Sequence, residues 1–207
     1  MSPQTLSRSG FAVLLLVLVV ALTASFLIAQ DRLTWLLEVM WVLLAIPLLV
    51  VTRQRFPLTT LLYVLIGVHC LILIYGGAYT YALTPLGLWV QDALDLARNH
   101  YDRLGHFAQG FIPAILAREL LLRLTPLRRG GWLFYLVVSV CLAFSAFFEM
   151  IEWWAALIWG GEADAFLATQ GDVWDTQWDM FLALCGAILA QLTLARWHDR
   201  ALGWPRD

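Results

Sequence analysis

Charge is scarce in this sequence. Only 14% of its 207 residues are charged, and lysine is absent, so all 13 basic residues are arginine. With 61% hydrophobic residues and a mean hydropathy of +0.76, the chain lies far outside the range of a soluble domain. Cysteine is equally sparse. Cys70, Cys141 and Cys185 are odd in number, widely spaced and each set in an apolar run, which excludes a disulfide framework and a Cys-x-x-Cys metal site. They read as packing residues, because apolar surroundings suppress the thiolate. The arginines form no basic, aromatic-interleaved face, which argues against nucleic-acid binding. Neither an internal repeat nor a low-complexity tract is visible.

Long hydrophobic runs are what the chain does have. A helical crossing needs about 20 apolar residues, and six stretches are of that order: Phe11 to Ala29, Leu33 to Val51, Pro57 to Gly77, Leu104 to Leu122, Trp132 to Ile158, and Asp179 to Arg196. The first exceeds the roughly 7–15 residues of a signal-peptide core and reads as a retained span. Trp35, Trp132, Trp159, Trp178 and Trp197 fall near the ends of these runs, where an indole can be apolar on one side and wet on the other.

The arginines set the orientation. With the N-terminus inside, the cytoplasmic segments hold Arg8, Arg53, Arg55, Arg118, Arg123, Arg128, Arg129, Arg196, Arg200 and Arg206, while only Arg32, Arg98 and Arg103 lie outside. The acids run the other way: Glu119, Asp199 and Asp207 are inside, and the remaining twelve of 15 are outside. The expected fold is an all-α integral membrane protein, a single polytopic domain over 1–207. It is a bundle of about six transmembrane helices with both termini cytoplasmic. Residues 78–103 form a loop too long for a turn. Pro85 followed by Trp89, Ala93 and Leu96 with Asp92 and Asp95 suits a short interfacial helix there.

Three polar motifs interrupt the apolar spans. Asp102 and His106 stand four apart where the fourth span begins, so they share a helix face at a spacing used by metal ligands and by acid/base pairs. An ordinary reading is also open, with Asp102 as a cap and His106 as an interface contact. Glu149 and Glu152, three apart inside the fifth span, point the same way. An ionised group at the bilayer centre costs about 2.5–3.5 kcal/mol and less toward the interface, so the pair must snorkel, share a proton or find a counter-charge. Asp172, Asp175 and Asp179 form one helical stripe leading into the sixth span. Asp172 suits an N-cap and Asp175 a first-turn acid, whereas Asp179 falls deeper. Glu38 in the second span and His69 in the third are supporting members.

The topology carries the three motifs to the same outer face. Asp102, His106, Glu149, Glu152, Asp175 and Asp179 would then form a cluster of five carboxylates and one imidazole, which protons or a cation must neutralise in low dielectric. Oxygen-rich ligation with an occasional imidazole suits magnesium, manganese or calcium, and zinc if His69 or His100 joins. No organic cofactor is evident.

The segments YDRLGHF, FFEMIEWW and GDVWDTQWDMFLALCGA resemble the YjdF family of uncharacterised bacterial inner-membrane proteins, over essentially the whole chain. More distantly the chain is similar to the VanZ-like membrane proteins linked to glycopeptide resistance. Those pair an acid-x-x-x-His helix start with a glutamate and a later Asp-x-x-x-Asn. Asp102 with His106, Glu149 or Glu152, and Asp175 match, while Asp179 stands where that pattern has asparagine. The resemblance implies a bacterial inner membrane and a polar site facing outward.

Three functions fit these residues. In the first, a metal-dependent membrane hydrolase or transferase acts on a lipid or envelope precursor, with His106 shuttling a proton and Asp102 and Glu149 among the ligands or bases. The Asp-Gly-x-x-Ala-Arg element of CDP-alcohol transferases is absent, so that reaction is not assigned. The second is a transport or binding protein in which the carboxylates pass protons or hold a cation. The third is a structural membrane protein whose acids are caps and anchors. Convergence of the carboxylates favours the first, a polar tunnel across both leaflets the second, and scattered, outward-pointing acids the third.

Overall fold

The computed structural model describes residues 3–204, apart from the side chains of residues 162–164. Arg206 and Asp207, placed inside by the charge reading, and the carboxylates of Glu162 and Asp164, placed outside, lie beyond what is described. Among the described residues the regular structure is all helical. The long helices are α1 (Arg8–Ile28), α2 (Arg32–Thr52), α3 (Thr60–Ala78), α5 (Tyr101–Leu124), α6 (Gly131–Trp159) and α8 (Asp175–Ala201). A short helix α4 (Pro85–Ala93) lies between α3 and α5, and a 3₁₀ turn (Gly160–Ala163) and α7 (Asp164–Leu167) between α6 and α8.

Local chemistry sets where the helices begin. Ser7, Asp31 and Thr59 cap α1, α2 and α3, their side-chain oxygens accepting from the backbone N–H three residues on. At α4 the proline at N1 starts the helix, because its missing N–H would have had no intrahelical partner. The exposed Leu86, Leu88 and Trp89 fit the expected interfacial placement of this helix. Asp172 does not cap α8 as expected. The N-cap position is Trp174, and the Asp172 carboxylate instead accepts from the Trp174 N–H at 2.9 Å. Asp102 likewise is a first-turn acid, while Asn99 Oδ1 accepts the Tyr101 N–H at 2.9 Å.

Five of the six long helices are apolar enough along one stretch to cross a membrane. The exception, α5, carries Asp102, Arg103, His106, Arg118, Glu119 and Arg123 in 24 residues, a length of about 36 Å. It is shielded instead: α3, α6 and α8 pack against it, and Ile112, Ala114 and Ile115 are buried. Helices α1 and α2 lie further out, with large apolar side chains such as Leu16, Leu27, Leu44 and Leu48 exposed, as lipid-facing residues are.

Helices α5 and α8 form the closest pair. A Cβ added at Gly110 would overlap the Ala183 carbonyl, and one added at Gly186 would overlap the Phe107 carbonyl. Buried Ala114, Ala117, Ala187 and Ala190 extend this small-residue seam. Between membrane helices such seams let backbones approach closely enough for dispersion to hold them. The approach fixes the height of α8 against α5, and so of Asp179 against His106.

The end opposite the acidic one is tied by arginines of the inner rim. Glu119, fully buried, accepts from Arg123 Nη1 at 2.6 Å and from the Thr59 hydroxyl at 2.8 Å, and it faces His198 Nε2 at 3.0 Å. Arg118 bonds His198 Nδ1 at 2.7 Å and Asp199 at 2.6 Å. Arg53 donates to the Leu6 carbonyl at 2.6 Å and lies over the Phe11 ring. The inner arginines therefore join α1, α2, α3, α5 and α8.

Candidate functional site

At the acidic end, α5 presents Asp102 and His106 one turn apart, with His106 Nε2 3.5 Å from Asp102 Oδ1. Asp179, one turn into α8, completes a group in which one ligand atom from each of Asp102, His106 and Asp179 lies within 4.8 Å of the others, all three residues being buried. From α6, Glu149 Oε1 comes to 3.7 Å from His106 Nδ1. The His106 ring is held edge-on against Phe148. His106 Nδ1, Glu149 Oε1 and Asp179 Oδ1 are buried atoms without a hydrogen-bond partner, a costly state in an apolar interior.

Glu152 and Glu38 stand around this centre. The field of Glu152 reaches Glu149, Asp102, Glu38 and Asp179, and that of Glu38 reaches Asp102 and His106. Tyr81 is packed close to Gly76 and Gly105, where any Cβ would strike its ring. Burial first, then the carboxylates of Glu38, Asp102 and Glu152 and the neighbouring Tyr101 phenol, push its phenol well above its ordinary value, so it stays protonated and can donate.

Asp175 is turned elsewhere. Arg98, buried in the loop before α5, donates to Asp175 Oδ1 at 2.5 Å and to the Ala168 carbonyl at 3.2 Å. Arg103 donates to Asp172 at 2.6 Å, and Arg98 approaches the same carboxylate at 3.5 Å. Two arginines thus neutralise Asp172 and Asp175 at the rim, whereas among the described residues Asp102, Asp179 and Glu149 lie beneath them with His106 as their charge partner. Counting outer arginines reveals that counter-charge is scarce, but not that both rim arginines are spent on the two shallower aspartates.

His100 and His69 do not join the group. His100 sits at the N-cap position of α5, its Nδ1 3.3 Å from Arg103 Nη1. Burial, then Arg103 and Arg98, lower its affinity for a proton. His69 lies deeper on α3 beside an apolar groove, its Nε2 buried without a partner. The groove has a volume of about 800 Å³ and is walled by α2, α3, α5 and α6. Glu38, Tyr81, Asp102 and His106 stand at one end of it, and Thr52, Leu120 and Leu124 at the other. Beyond Gln109 the α5 side of the groove is Ile112, Pro113, Leu116, Leu120 and Leu124, with no ionisable group.

Comparison with known proteins follows the same lines. The family model described as a predicted membrane protein, DUF2238, matches residues 10–200. The chain is similar to the inner membrane protein YjdF of Escherichia coli (strain K12), 49% identical over 202 residues, covering 98% of this chain and 94% of that protein. No solved structure matches. The likeness to VanZ-like proteins rests on the motif residues alone. With its membrane-length helices, the chain is a multi-pass inner-membrane protein embedded in the lipid bilayer. A match over nearly all of its length makes it a member of the DUF2238 membrane-protein family.

Proposed function

We propose that the protein is a membrane enzyme acting at the outer face on a lipid or envelope precursor, with a divalent cation held by Asp102, His106 and Asp179. The observation that carries this reading is the meeting of those three side chains within 4.8 Å in a buried setting. Three negative or polar atoms there have no partner. Two carboxylates and one imidazole suit zinc directly, and magnesium, manganese or calcium with water completing the shell. The His106 ring directs Nε2 toward Asp102 and Nδ1 toward Glu149. That arrangement resembles a metal-bound histidine oriented by a carboxylate behind it.

When bound, such an ion polarises a phosphoryl or carbonyl oxygen and lowers the pKa of a coordinated water. The chain's own residues do the rest. Glu149 faces the His106 ring and, with Glu152, offers a carboxylate to take a proton from an attacking water or hydroxyl. The Tyr81 phenol supplies a donor at the mouth of the groove. The Phe148 ring against His106 limits water and strengthens these charges. The transport reading is less favoured, since the α5 wall of the groove beyond Gln109 carries no polar relay.

The test is turnover of lipids by the purified full chain in nanodiscs of bacterial inner-membrane phospholipid, supplied with each divalent cation and followed by mass spectrometry of products. Cation-dependent conversion that falls by about 10²–10⁴-fold in Glu149→Gln and vanishes in His106→Ala fits a general base and a ligand. Conversion equal in the wild type and both variants overturns the assignment.

A further inference from the structure

The inner end holds a pocket that plays no part in the proposed reaction. It is an open pocket of about 910 Å³ between the start of α1, with Arg8 and Phe11, and the end of α2, with Val50, Arg53 and Gln54. The segment before α1 closes one side through Thr5 and Leu6. That segment is strapped in place. The Gln4 N–H donates to the Ala201 carbonyl at 2.7 Å, and the Gln4 carbonyl accepts from the Thr60 N–H at 2.8 Å, which ties it to the end of α8 and the start of α3.

Arg53 is held as firmly. Its Nη2 donates to the Leu6 carbonyl at 2.6 Å and the Ser7 carbonyl at 3.2 Å, and its guanidinium carbon lies 4.2 Å from the centre of the Phe11 ring. A guanidinium carries five N–H donors in one plane, so a ring against its face leaves its edge to bond. On that edge Nη1 is buried without a hydrogen-bond partner. Arg8 stands exposed on the same pocket. Elsewhere on the inner rim, Arg118, Arg123 and Arg129 face Glu119 or Asp199. Here the acid is missing: among the described residues, no carboxylate lines the pocket or pairs with Arg8 or Arg53. Two like charges on one pocket repel, and an anion between them removes that cost. Helix α1 begins at this place, and its dipole adds positive potential.

The rest of the lining identifies the anion. Beside the arginines the wall turns apolar at Phe11 and Val50, and Val50 is 48% exposed where the helices meet surrounding hydrocarbon. A small hydrated ion gains nothing from such a wall. An amphiphile whose charge sits at the head of its hydrocarbon meets both parts at once, and the cytoplasmic leaflet supplies such molecules at the level of the inner arginines.

We propose that this pocket binds the phosphate of an anionic phospholipid of the cytoplasmic leaflet, held between Arg8 and Arg53. The lipid links the start of α1 to the end of α2 from the membrane side, at the opposite end of the bundle from the acidic group.

The test is native mass spectrometry of the purified full chain in detergent, with phosphatidylglycerol and phosphatidylcholine of equal chain length offered together. The wild type should retain one phosphatidylglycerol in preference to phosphatidylcholine. Arg8→Gln and Gln54→Glu should each lower that preference by about fivefold, the worth of one charge at the membrane surface. Both positions are exposed, so both variants are expected to fold. Arg128→Gln, at an exposed inner arginine outside the pocket, should leave the preference unchanged. Excess inorganic phosphate should leave the lipid bound. Equal retention of the two lipids overturns the proposal, as does a preference that survives both Arg8→Gln and Gln54→Glu. An equal loss in Arg128→Gln would show a general inner field instead of a site, and displacement by inorganic phosphate would show a site for the free ion. Either result overturns the lipid assignment. His106→Ala should not alter lipid retention, so this pocket and the outer cation site stand or fall separately.

Discussion

His106 Nδ1 and Glu149 Oε1 face each other across the α5–α6 interface at 3.7 Å, and neither atom has a hydrogen-bond partner. The two come from helices with opposite directions, and Asp179 reaches the same point from a third.

The α5–α8 seam sets the geometry of the site. Gly186→Val forces a side chain into the Phe107 carbonyl, and overpacking of this kind costs about 1–3 kcal/mol or more. The variant should lose monodispersity in detergent, while Gly131→Ala, where nothing lies near the new methyl, should behave as wild type. Thermal aggregation midpoints of the two variants check this.

Arg98 serves the rim and not the deeper group. Removing it leaves Asp175 buried and unpaired, at a cost of about 3–5 kcal/mol. Arg98→Ala should therefore be strongly destabilised, and Arg98→Met with Asp175→Leu should recover much of the loss. A double-mutant cycle of thermal midpoints is the check, with no recovery in the double variant contradicting the pairing.

The inner network is a structural tie, separable from the outer site. Glu119→Ala leaves the Thr59 hydroxyl, Arg123 and His198 without their shared acceptor, and should destabilise the chain by about 3–5 kcal/mol. Divalent-cation uptake by the folded fraction should be unchanged. Loss of cation uptake at unchanged stability would contradict the division between the two ends.

Orientation is open to direct labelling. In a background where Cys70, Cys141 and Cys185 are replaced by alanine, a membrane-impermeant maleimide should modify Trp89→Cys on α4 in intact cells. It should modify Arg128→Cys only after permeabilisation. The reverse pattern would place the acidic site inside.

Much of the bundle was legible because apolar length is a local property. The six expected spans correspond to α1, α2, α3, α5, α6 and α8, with limits shifted by a few residues where caps such as Asp31 and Thr59 decide them. Pro85 marked α4 because proline at N1 is a local signal too. The grouping of Asp102, His106 and Asp179 follows from topology plus helical spacing. Long-range pairing was hidden. Nothing in the spacing of Arg98 and Asp175 says that a loop arginine 77 positions upstream will bond that aspartate. The tie of Glu119 to His198 is equally non-local, its only trace being an acid set among inner arginines. The groove was invisible for a different reason: Trp41, His69 and Gln109 sit on three helices, and only packing shows that they line one groove.

Manganese titration of the purified full chain, followed by the electron paramagnetic resonance signal of the free ion, tests the central claim most directly. The wild type should remove free manganese saturably, at about one ion per chain, and His106→Ala and Asp179→Asn should remove none while remaining folded. Identical titrations for the wild type and both variants would contradict a cation site built from Asp102, His106 and Asp179.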